Sequence, residues 1–254
     1  MAKRPIFKVS NKKDLFIEEV EIDFEFHNGL SVSQKQKSIR SLHQSAKDLG
    51  IENVLEISTK SESQLGNMLS AFNLTFFNIE NKLVTLEGAF QGSKIFENDG
   101  PFNDLYFKTP SEIKKDERIS RDKIIIGFKF DGVEWPIVPK TAFYDWLYLK
   151  ALHFNKENSG NSIYEEVLNY SAFTDIEFNP KKSINCQARS CALYVSLAKN
   201  ELLNTALESE EAFLEIVSKD SFYKIEKIES LEQGKFDLKF WIDSIATQIM
   251  GSNG

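Results

Sequence analysis

The segment from Glu19 to Phe26 alternates carboxylate and apolar side chains without exception. Successive side chains of a β-strand point to opposite faces, so a period of two predicts a strand with one buried and one solvated face. The buried face would carry the apolar residues Val20, Ile22, Phe24 and Phe26. A fold for this chain must therefore contain a sheet that is covered on one side.

Two loops and two helix ends give the clearest further signals. Asp131-Gly132 lies between the apolar runs 124–130 and 133–138, which is the strongest short hairpin signal. A second hairpin is predicted for 75–77 and 82–84. A helix is predicted from Ser33, its cap, to Leu49, with Gly50 ending it.

The other segments predict further helices and one short strand. The strand is placed at 54–57. Helices are expected at 86–96, from Thr109 and from Ser162 (each with a capping box), after Pro139, from Ser183 onward, and along the apolar stripe from Leu238 to Ile249. The sum is an α+β domain, mainly helical, with short strands and hairpins.

Length and composition indicate one globular domain over residues 1–254. The chain has 254 residues, and a single core stays efficient up to roughly 250–300. No apolar run approaches the roughly 20 residues of a membrane span, and the basic N-terminus lacks the apolar stretch of a secretory signal. Cys186 and Cys191 lie five apart in a predicted helix and point in different directions, so we expect reduced thiols in a cytoplasmic protein.

The net charge of −7 argues against a protein that grips a long stretch of duplex DNA. Phosphate contacts dominate such binding and call for a basic surface. A nucleic-acid substrate, if there is one, would be recognised locally at a single nucleotide.

The segment from Thr85 to Lys94 contains the residues of most chemical interest. As a helix it places Glu87, Gln91 and Lys94 on one stripe, at spacings of four and three. Gly88 and Gly92 interrupt this helix, each at a cost of roughly 1 kcal/mol relative to alanine. That cost favours close approach of a backbone or a ligand. From spacing alone, a solvated Glu–Gln–Lys face is the more common explanation.

This segment resembles the signature of the NADAR family, in which a Glu, an aromatic-Gln pair and a Lys follow one another in one helix. The stretch 69–74, with Ser70, Phe72 and Asn73, resembles the Ser-Asn-Phe segment of that family and is likewise followed by a hairpin. Four further stretches resemble the NADAR antitoxins paired with DarT-type toxins: 34–39, 108–118, 139–146 and 175–189.

The resemblance implies a YbiA-like α+β fold, with a core at about 65–200 and an N-terminal strand-helix-strand extension at 1–60. It also implies a hydrolase that removes ADP-ribose from guanine in DNA and acts as the antitoxin of a DarT-type toxin. Its partners would be ADP-ribosylated DNA, the product ADP-ribose and the toxin, with no membrane. The guanine would be single-stranded or flipped out of the duplex.

Two segments depart from the family pattern. NADAR proteins outside the DarT-associated branch often carry Asp-x-x-Trp near the C-terminal end, whereas this chain has Asp220 followed by Tyr223. The Asp-Trp segment of the family is matched either by Phe143 or by Asp145-Trp146. The aromatic partner of the substrate base is therefore left open.

On this resemblance, Glu87 and Lys94 are the candidate catalytic residues. The Glu87 carboxylate would stabilise the positive charge that develops on the sugar or activate water. Lys94 has two equally weighted roles: a nucleophile that exchanges into an imine, and a cation that holds the diphosphate or keeps Glu87 ionised. Asn73 and Gln91 can bind ribose hydroxyls. Phe72 and Trp146 offer stacking faces, although buried aromatics are more often core residues.

The remaining candidates lie in 139–189 and at the start of the first helix. Asp175 and Glu177 are either second carboxylates or the outer face of a strand. The 179–183 turn is a candidate phosphate site at a predicted helix start, or a charged turn. Cations in a first helical turn are disfavoured, so Lys35 and Lys37 weakly indicate an anion. The candidate substrate-binding set is completed by Ser70, Asp145, Lys182, Asn185 and Arg189.

The three histidines and two cysteines show no metal-ligand spacing, so neither a metal nor a cofactor is predicted. The sequence leaves two alternatives to the DNA hydrolase open. One is a YbiA-like N-glycosidase that acts on a small glycosylamine. The other is a non-catalytic antitoxin that binds the toxin through its acidic surface.

Overall fold

A computed structural model of the protein describes residues 1–119, 123–158, 160, 162–181 and 183–224. These residues form an α+β fold with three small sheets. The strands are β1 Ala2–Lys12, β2 Leu15–Phe24, β3 Val54–Glu56, β4 Thr75–Phe77, β5 Leu83–Thr85, β6 Lys94–Phe96, β7 Ile125–Phe130, β8 Val133–Trp135 and β9 Ala172–Thr174. The helices are α1 Val32–Asp48, α2 Gln64–Met68, α3 Leu86–Gly92, α4 Pro110–Lys114, α5 Ala142–Asn158, α6 Gln187–Lys199, α7 Leu203–Glu208 and α8 Glu210–Val217. Short 3-10 helices lie at Asn103–Phe107, Glu117–Ile119 and Ser162–Asn169.

The largest sheet has the strand order β2-β1-β9-β3. Strands β1 and β2 form a long antiparallel pair, β9 is antiparallel to β1, and β3 is parallel to β9. In β2 the predicted alternation is confirmed, because Ile22 and Phe24 are buried while Glu21 and Asp23 are exposed. The strand ends at Phe24, two residues before the predicted end.

Helix α1 lies where it was predicted, but its cap is a different serine. Ser31, not Ser33, has the extended cap conformation, and its side chain accepts a hydrogen bond from the Gln34 backbone N–H. The prediction of Ser33 as the cap was wrong by two residues. Gly50 follows the helix with φ of +76°, the left-handed conformation that favours glycine at this position.

Both predicted hairpins are confirmed. Strands β4 and β5 pair across residues 78–82, and β7 pairs with β8 across Asp131-Gly132. Asp131 and Gly132 have φ of 50° and 83°, which is the left-handed pair of a type I′ turn. Strand β6 adds to the other edge of β7.

Helix α3 is shorter than predicted, because it ends at Gly92 rather than at Phe96. Residues 94–96 form β6, which pairs with β7. The Ser93 carbonyl also accepts a hydrogen bond of 2.8 Å from the Lys129 N–H. Sheet pairing with a distant segment therefore replaces the last helical turn, and the helix pattern of the sequence contains no sign of it.

The two glycines of α3 allow the close approach of another backbone. A Cβ on Gly88 would lie 2.9 Å from the carbonyl oxygens of Leu105 and Tyr106. A Cβ on Gly92 would lie 2.7 Å from the Phe102 carbonyl oxygen and from the Tyr106 ring. The neighbour is thus the 3-10 helix Asn103–Phe107, which fixes α3 against the rest of the fold.

The C-terminal half packs α5 and α6 together in the main core, and both cysteines are buried there as free thiols. Helix α6 begins at Gln187 with Cys186 in the cap position, so the prediction of a helix start at Ser183 was wrong. The predicted stripe from Leu238 to Ile249 lies outside the described residues. Among the helices that the structure describes, none is both long and apolar enough to cross a membrane.

Candidate active site

Glu87, Gln91 and Lys94 form a continuous hydrogen-bonded array. Nε2 of Gln91 donates to Oε1 of Glu87 at 2.9 Å, and Nζ of Lys94 donates to Oε1 of Gln91 at 2.6 Å. Lys94 belongs to β6, so the three residues do not share one helical stripe as predicted, but they do come together. All three are half-buried, which is not the solvated face that spacing alone favoured.

Burial controls the acidity of Glu87. Desolvation raises the pKa of this carboxyl, while the hydrogen bond from Gln91 and the charge of Lys94 act in the opposite direction. A carboxylate whose pKa is raised above its ordinary value accepts a proton more readily, which is the task of a general base. The array therefore couples a proton-exchanging group to a cation through one amide.

Glu87 lines a cleft of about 320 Å³, which we call the acidic cleft. Three carboxylates contribute to it, and none of its described lining residues is basic. Its walls come from α3, α5, the loop before β4, the segment between β9 and α6, and the first residue of α6. The principal lining residues are Phe72, Glu87, Tyr144, Asp175, Glu177 and Gln187.

Asp175 is held in this cleft by three hydrogen bonds. Its Oδ1 accepts from the backbone N–H groups of Glu177 and Phe178 at 2.9 and 3.2 Å. Its Oδ2 accepts from Nε2 of Gln187 at 3.0 Å. Oε1 of Gln187 in turn accepts from the Ala71 N–H at 2.8 Å. Gln187, which no sequence pattern singled out, thus joins the end of β9 to the loop before β4.

A second buried carboxyl, Glu56 on β3, lies behind the end of β9. It is 2% exposed, and it accepts hydrogen bonds from the Ser58 hydroxyl at 2.8 Å, the Thr174 hydroxyl at 2.6 Å and the Ile176 N–H at 2.8 Å. Nε2 of His43 lies 2.9 Å from the same Thr174 hydroxyl. Sequence reasoning missed Glu56, because one acidic residue in a three-residue strand carries no local signal.

Glu56 and Asp175 influence each other's protonation. Burial raises the pKa of both groups, and repulsion from Glu56 raises that of Asp175 further. Burial lowers the pKa of His43 to about 4, so this imidazole is neutral near pH 7. Two carboxyl groups that repel each other in a buried region favour a state in which one of them keeps a proton.

The loop before β4 places its three predicted residues differently. Phe72 is 50% exposed and lines the acidic cleft, so its ring is available for stacking. Ser70 is buried, and its hydroxyl lies 3.5 Å from Oε1 of Gln187. Asn73 donates to the backbone oxygen of Asn67 at 2.8 Å, which holds the loop. Of the three, only Phe72 lines the cleft.

A second cleft of about 630 Å³ adjoins the first, and we call it the lysine cleft. Its lining includes Lys94, Lys123, Lys140 and Lys181, and no carboxylate is found among the described residues that form it. Ser183 and Asn185 line both clefts. Lys123 and Lys140 were not among the predicted site residues, although Lys140 lies in a stretch that carried the family resemblance.

Asp145 and Arg189 form a buried ion pair instead of lining either cleft. Arg189 donates to Oδ2 of Asp145 at 2.7 Å, and the two side chains are 6% and 1% exposed. The Tyr223 hydroxyl donates to the same oxygen at 2.6 Å, and the Ser190 hydroxyl donates to Oδ1 at 2.6 Å. These contacts tie α5 to α6 and to the segment around Tyr223. Neither Asp145 nor Arg189 lines the acidic cleft, so their predicted contact with substrate stays a prediction.

Trp146 is partly buried and packs against the main hydrophobic core, which is one of the two roles that the sequence analysis considered for it. Its ring lies 4.9 Å from that of Trp135, and the Lys150 ammonium lies 4.9 Å from its centre. It lines neither the acidic cleft nor the lysine cleft. The aromatic groups that do line the acidic cleft are Phe72, Tyr144 and Phe178.

Two further predicted cations are Lys35, at the start of α1, and Lys182. Lys35 pairs with Glu177 at 3.2 Å, so an acidic-cleft carboxylate is the anion near the start of α1. Lys182 lies outside the described residues. Within the part of the chain that the structure covers, no group of three His, Cys, Asp or Glu side chains is arranged to hold a metal ion.

Comparison with known protein families gives a match that spans most of the chain. The family model described as DarT1-associated NADAR antitoxin matches residues 2–227. No curated protein matches the chain significantly. The matched region contains both clefts and the buried Asp145–Arg189 pair.

Proposed function

The chain belongs to the family of DarT1-associated NADAR antitoxins, and from this premise we propose that it hydrolyses the bond between ADP-ribose and guanine in DNA. Family membership gives it the role of an antitoxin associated with a DarT-type toxin. The observation that carries the proposal is the Glu87–Gln91–Lys94 array, which borders a cleft containing a second carboxyl, Asp175.

The reaction separates the anomeric carbon of a ribose from the guanine amino nitrogen. The nitrogen leaves with the bonding electrons and takes up a proton, while water adds its hydroxyl to the sugar carbon and gives its other proton to the site. Positive charge develops on the sugar as the bond breaks. The Glu87 carboxylate supports that charge or accepts the proton of the attacking water.

Lys94 fits two routes. In the first, the sugar ring opens to an imine, and the Lys94 amine exchanges into it and releases the guanine amine. Water then hydrolyses the lysine imine and restores the enzyme. In the second, the ammonium group stabilises the Glu87 carboxylate through Gln91, with no covalent intermediate. The 2.6 Å contact between Lys94 and Gln91 is compatible with the second route without any rearrangement.

Asp175 is the candidate proton donor to the departing guanine. Its raised pKa favours the protonated form, because it is buried and repelled by Glu56. Its three hydrogen bonds fix the carboxyl in one orientation. Asp175 would then act as the general acid and Glu87 as the general base, with both carboxyls in one cleft.

Phe72 is the candidate stacking partner of the base. Half of its surface is exposed, and it lines the acidic cleft together with Glu87 and Asp175. Stacking on an aromatic ring binds a base without reading its identity. The guanine would have to be single-stranded or extruded from a duplex to reach this position.

The test is incubation with a single-stranded oligonucleotide that carries ADP-ribosylated guanine, followed by mass analysis. We expect wild type to restore the unmodified oligonucleotide, and Glu87→Gln and Lys94→Ala to leave it modified. Glu80→Gln and Lys114→Ala are the matched controls, because both residues are exposed and line neither cleft. Equal activity of wild type and Glu87→Gln would refute the assignment of Glu87.

Inactive wild type would refute the hydrolase itself, and two further measurements would then separate the alternatives. Release of the base from a small glycosylamine, but not from DNA, would indicate a YbiA-like N-glycosidase. A stable complex with the toxin, without hydrolysis of either substrate, would indicate an antitoxin that acts by binding.

A further inference from the structure

The lysine cleft has a charge opposite to that of the whole chain. The protein carries a net charge of −7, yet four lysines and no carboxylate are found among the described residues that line this cleft. Lys123 does pair with Asp99, but at 3.6 Å and outside the lining. A cleft lined by one sign of charge concentrates ligands of the opposite sign, so phosphate groups suit this position.

Apolar side chains lie between these lysines. Phe90, Phe96 and Phe128 are nearly buried beneath the cleft, while Ile184 is 53% exposed on its wall. The Lys94 ammonium lies 5.0 Å from the Phe90 ring centre. A ligand that combines a flat apolar group with phosphates would satisfy both features. A nucleotide has that composition, whereas inorganic phosphate alone would leave the apolar wall uncovered.

The lysine cleft adjoins the candidate catalytic array. Gln91 and Lys94 line it, and Gln91 bonds to Glu87 in the neighbouring acidic cleft. Asn185 lies at the junction, and its buried Oδ1 accepts no hydrogen bond from the described residues. A buried acceptor without a donor destabilises the unliganded protein, and a hydroxyl or amino group of a ligand would supply the missing donor.

We propose that the lysine cleft is a nucleotide subsite that binds a phosphate-bearing nucleoside next to the bond that is cleaved. The proposal rests on the function proposed above, since it places the two clefts on one substrate. The same ligand chemistry has two sources in such a substrate. One is the adenosine diphosphate half of the modification, and the other is the unmodified nucleotide beside the modified guanine.

The test measures binding without turnover, so its outcome is separable from that of the hydrolase assay. A triple variant, Lys123→Gln with Lys140→Gln and Lys181→Gln, removes three cations and leaves the Glu87–Gln91–Lys94 array intact. The matched control replaces three exposed lysines that line neither cleft, Lys12, Lys13 and Lys199, with Gln. The two variants have the same net charge, so a difference between them reports position.

Two ligands separate the two sources. Fluorescence anisotropy measures a labelled, unmodified single-stranded oligonucleotide, and calorimetry measures ADP-ribose. We expect the cleft variant to weaken at least one affinity by about tenfold or more relative to the control variant. If the oligonucleotide is the affected ligand, the slope of log K against log salt should also become shallower by about 0.7 for each phosphate that the variant no longer neutralises.

A loss of affinity confined to the oligonucleotide would assign the cleft to the strand, and one confined to ADP-ribose would assign it to the adenosine diphosphate half. Equal affinities of the cleft variant and the control variant for both ligands would overturn the subsite. Failure of wild type to bind either ligand would overturn it as well. Lysine-dependent binding by a protein without hydrolase activity would preserve the subsite and refute only the catalytic proposal.

Discussion

At the scale of single residues, Gln91 determines how Glu87 and Lys94 interact. Its amide donates from one end and accepts at the other, so a carboxylate and an ammonium can each bond to it at once. Neither glutamate nor lysine at this position could make both contacts with the groups present. The amide therefore sets the order of the array, with the acid on α3 and the cation on β6.

The two routes for Lys94 predict different results with cyanoborohydride. In the imine route, hydride reduces the C=N bond to a secondary amine and leaves the sugar attached to the protein, which intact mass analysis detects. Lys94→Arg keeps the positive charge but forms no imine. If Lys94 is the nucleophile, we expect trapping by wild type and neither trapping nor turnover by Lys94→Arg.

If Lys94 is an electrostatic clamp, the result is reversed. Wild type would hydrolyse the substrate without an adduct, and Lys94→Arg would keep a measurable rate because the charge next to Gln91 is retained. Lys114→Arg is the control for the substitution itself. An adduct on Lys94→Arg at the same site would contradict the nucleophile route.

The Glu56 carboxyl predicts a shift in pH dependence. A reaction that needs protonated Asp175 proceeds below the pKa of that group and is lost as pH rises through it. Repulsion from Glu56 helps raise this pKa, so removing the charge in Glu56→Gln should lower it. We expect the alkaline limb of kcat/KM to move to lower pH while turnover on the acid side persists.

Glu62→Gln is the matched control, because Glu62 is exposed and pairs with Arg40 on the surface. Its alkaline limb should coincide with that of wild type. If the alkaline limb of kcat/KM in Glu56→Gln stays in place or moves to higher pH, Asp175 is not the proton donor.

At the scale of secondary structure elements, α3 depends on the close approach of the 3-10 helix Asn103–Phe107. Gly88→Ala would place a methyl group 2.9 Å from two backbone carbonyl oxygens. We expect a net loss of about 1–2 kcal/mol in stability, or roughly 2–8 °C in Tm, despite the better helix propensity of alanine. Thermal unfolding followed by circular dichroism measures this change.

Lys37→Ala introduces alanine at an exposed position of α1 and serves as the control. It should unfold close to wild type, since surface substitutions usually change stability by less than about 0.5 kcal/mol. A Gly88→Ala protein as stable as the control would show that the two backbones separate without cost.

The elements that the sequence predicted well are those fixed by local chemistry. The alternation in β2, the left-handed pair Asp131-Gly132 and the capping box at Thr109 all appear where expected. The end of α3 was missed because the partner of β6 is β7, about thirty residues away. The α6 start was missed because Ser183 resembles a cap, whereas the chain continues irregularly to Cys186.

In the candidate site too, the residues with a local sequence pattern were predicted, and those that depend on tertiary packing were not. Glu87, Gln91 and Lys94 were selected from their spacing and the family resemblance, and the structure brings them together. Asp145 and Arg189 came from the same resemblance, yet they are buried in an ion pair that only tertiary packing reveals. Glu56 and Gln187 each form a hydrogen bond with a residue more than a hundred positions away, and no local pattern identifies such a contact.

At the scale of the whole molecule, the Asp145–Arg189 pair joins α5, α6 and the segment around Tyr223. Asp145→Ala would leave the Arg189 guanidinium buried without its counter-ion. We expect a loss of about 3–5 kcal/mol in the free energy of unfolding, measured by urea titration. Tyr223→Phe removes the hydroxyl that donates to that oxygen at 2.6 Å and accepts from the Arg189 guanidinium at 3.3 Å, and it should cost about 1–3 kcal/mol.

These two variants test whether the pair is structural. A loss below about 1 kcal/mol for Asp145→Ala would contradict the buried ion pair as a major link between the helices. Because neither residue lines a cleft, the folded Tyr223→Phe protein should hydrolyse the substrate at the wild-type rate. A large rate defect in that variant, without a loss of stability, would return this network to the active site.

Under the proposed function, the segregation of charge between the two clefts also determines how the protein finds a modified guanine. At physiological ionic strength, the repulsion of nucleic acid by the net charge of −7 and its attraction by the four cleft lysines both fade over about 8 Å, so the lysines act only on a strand that already lies at the cleft. Encounters with unmodified strands would be brief, and the protein would dwell only where a lesion also fills the acidic cleft. Under the proposed function, one copy would then act on many modified guanines in succession, whereas a strongly basic protein would stay bound to unmodified DNA.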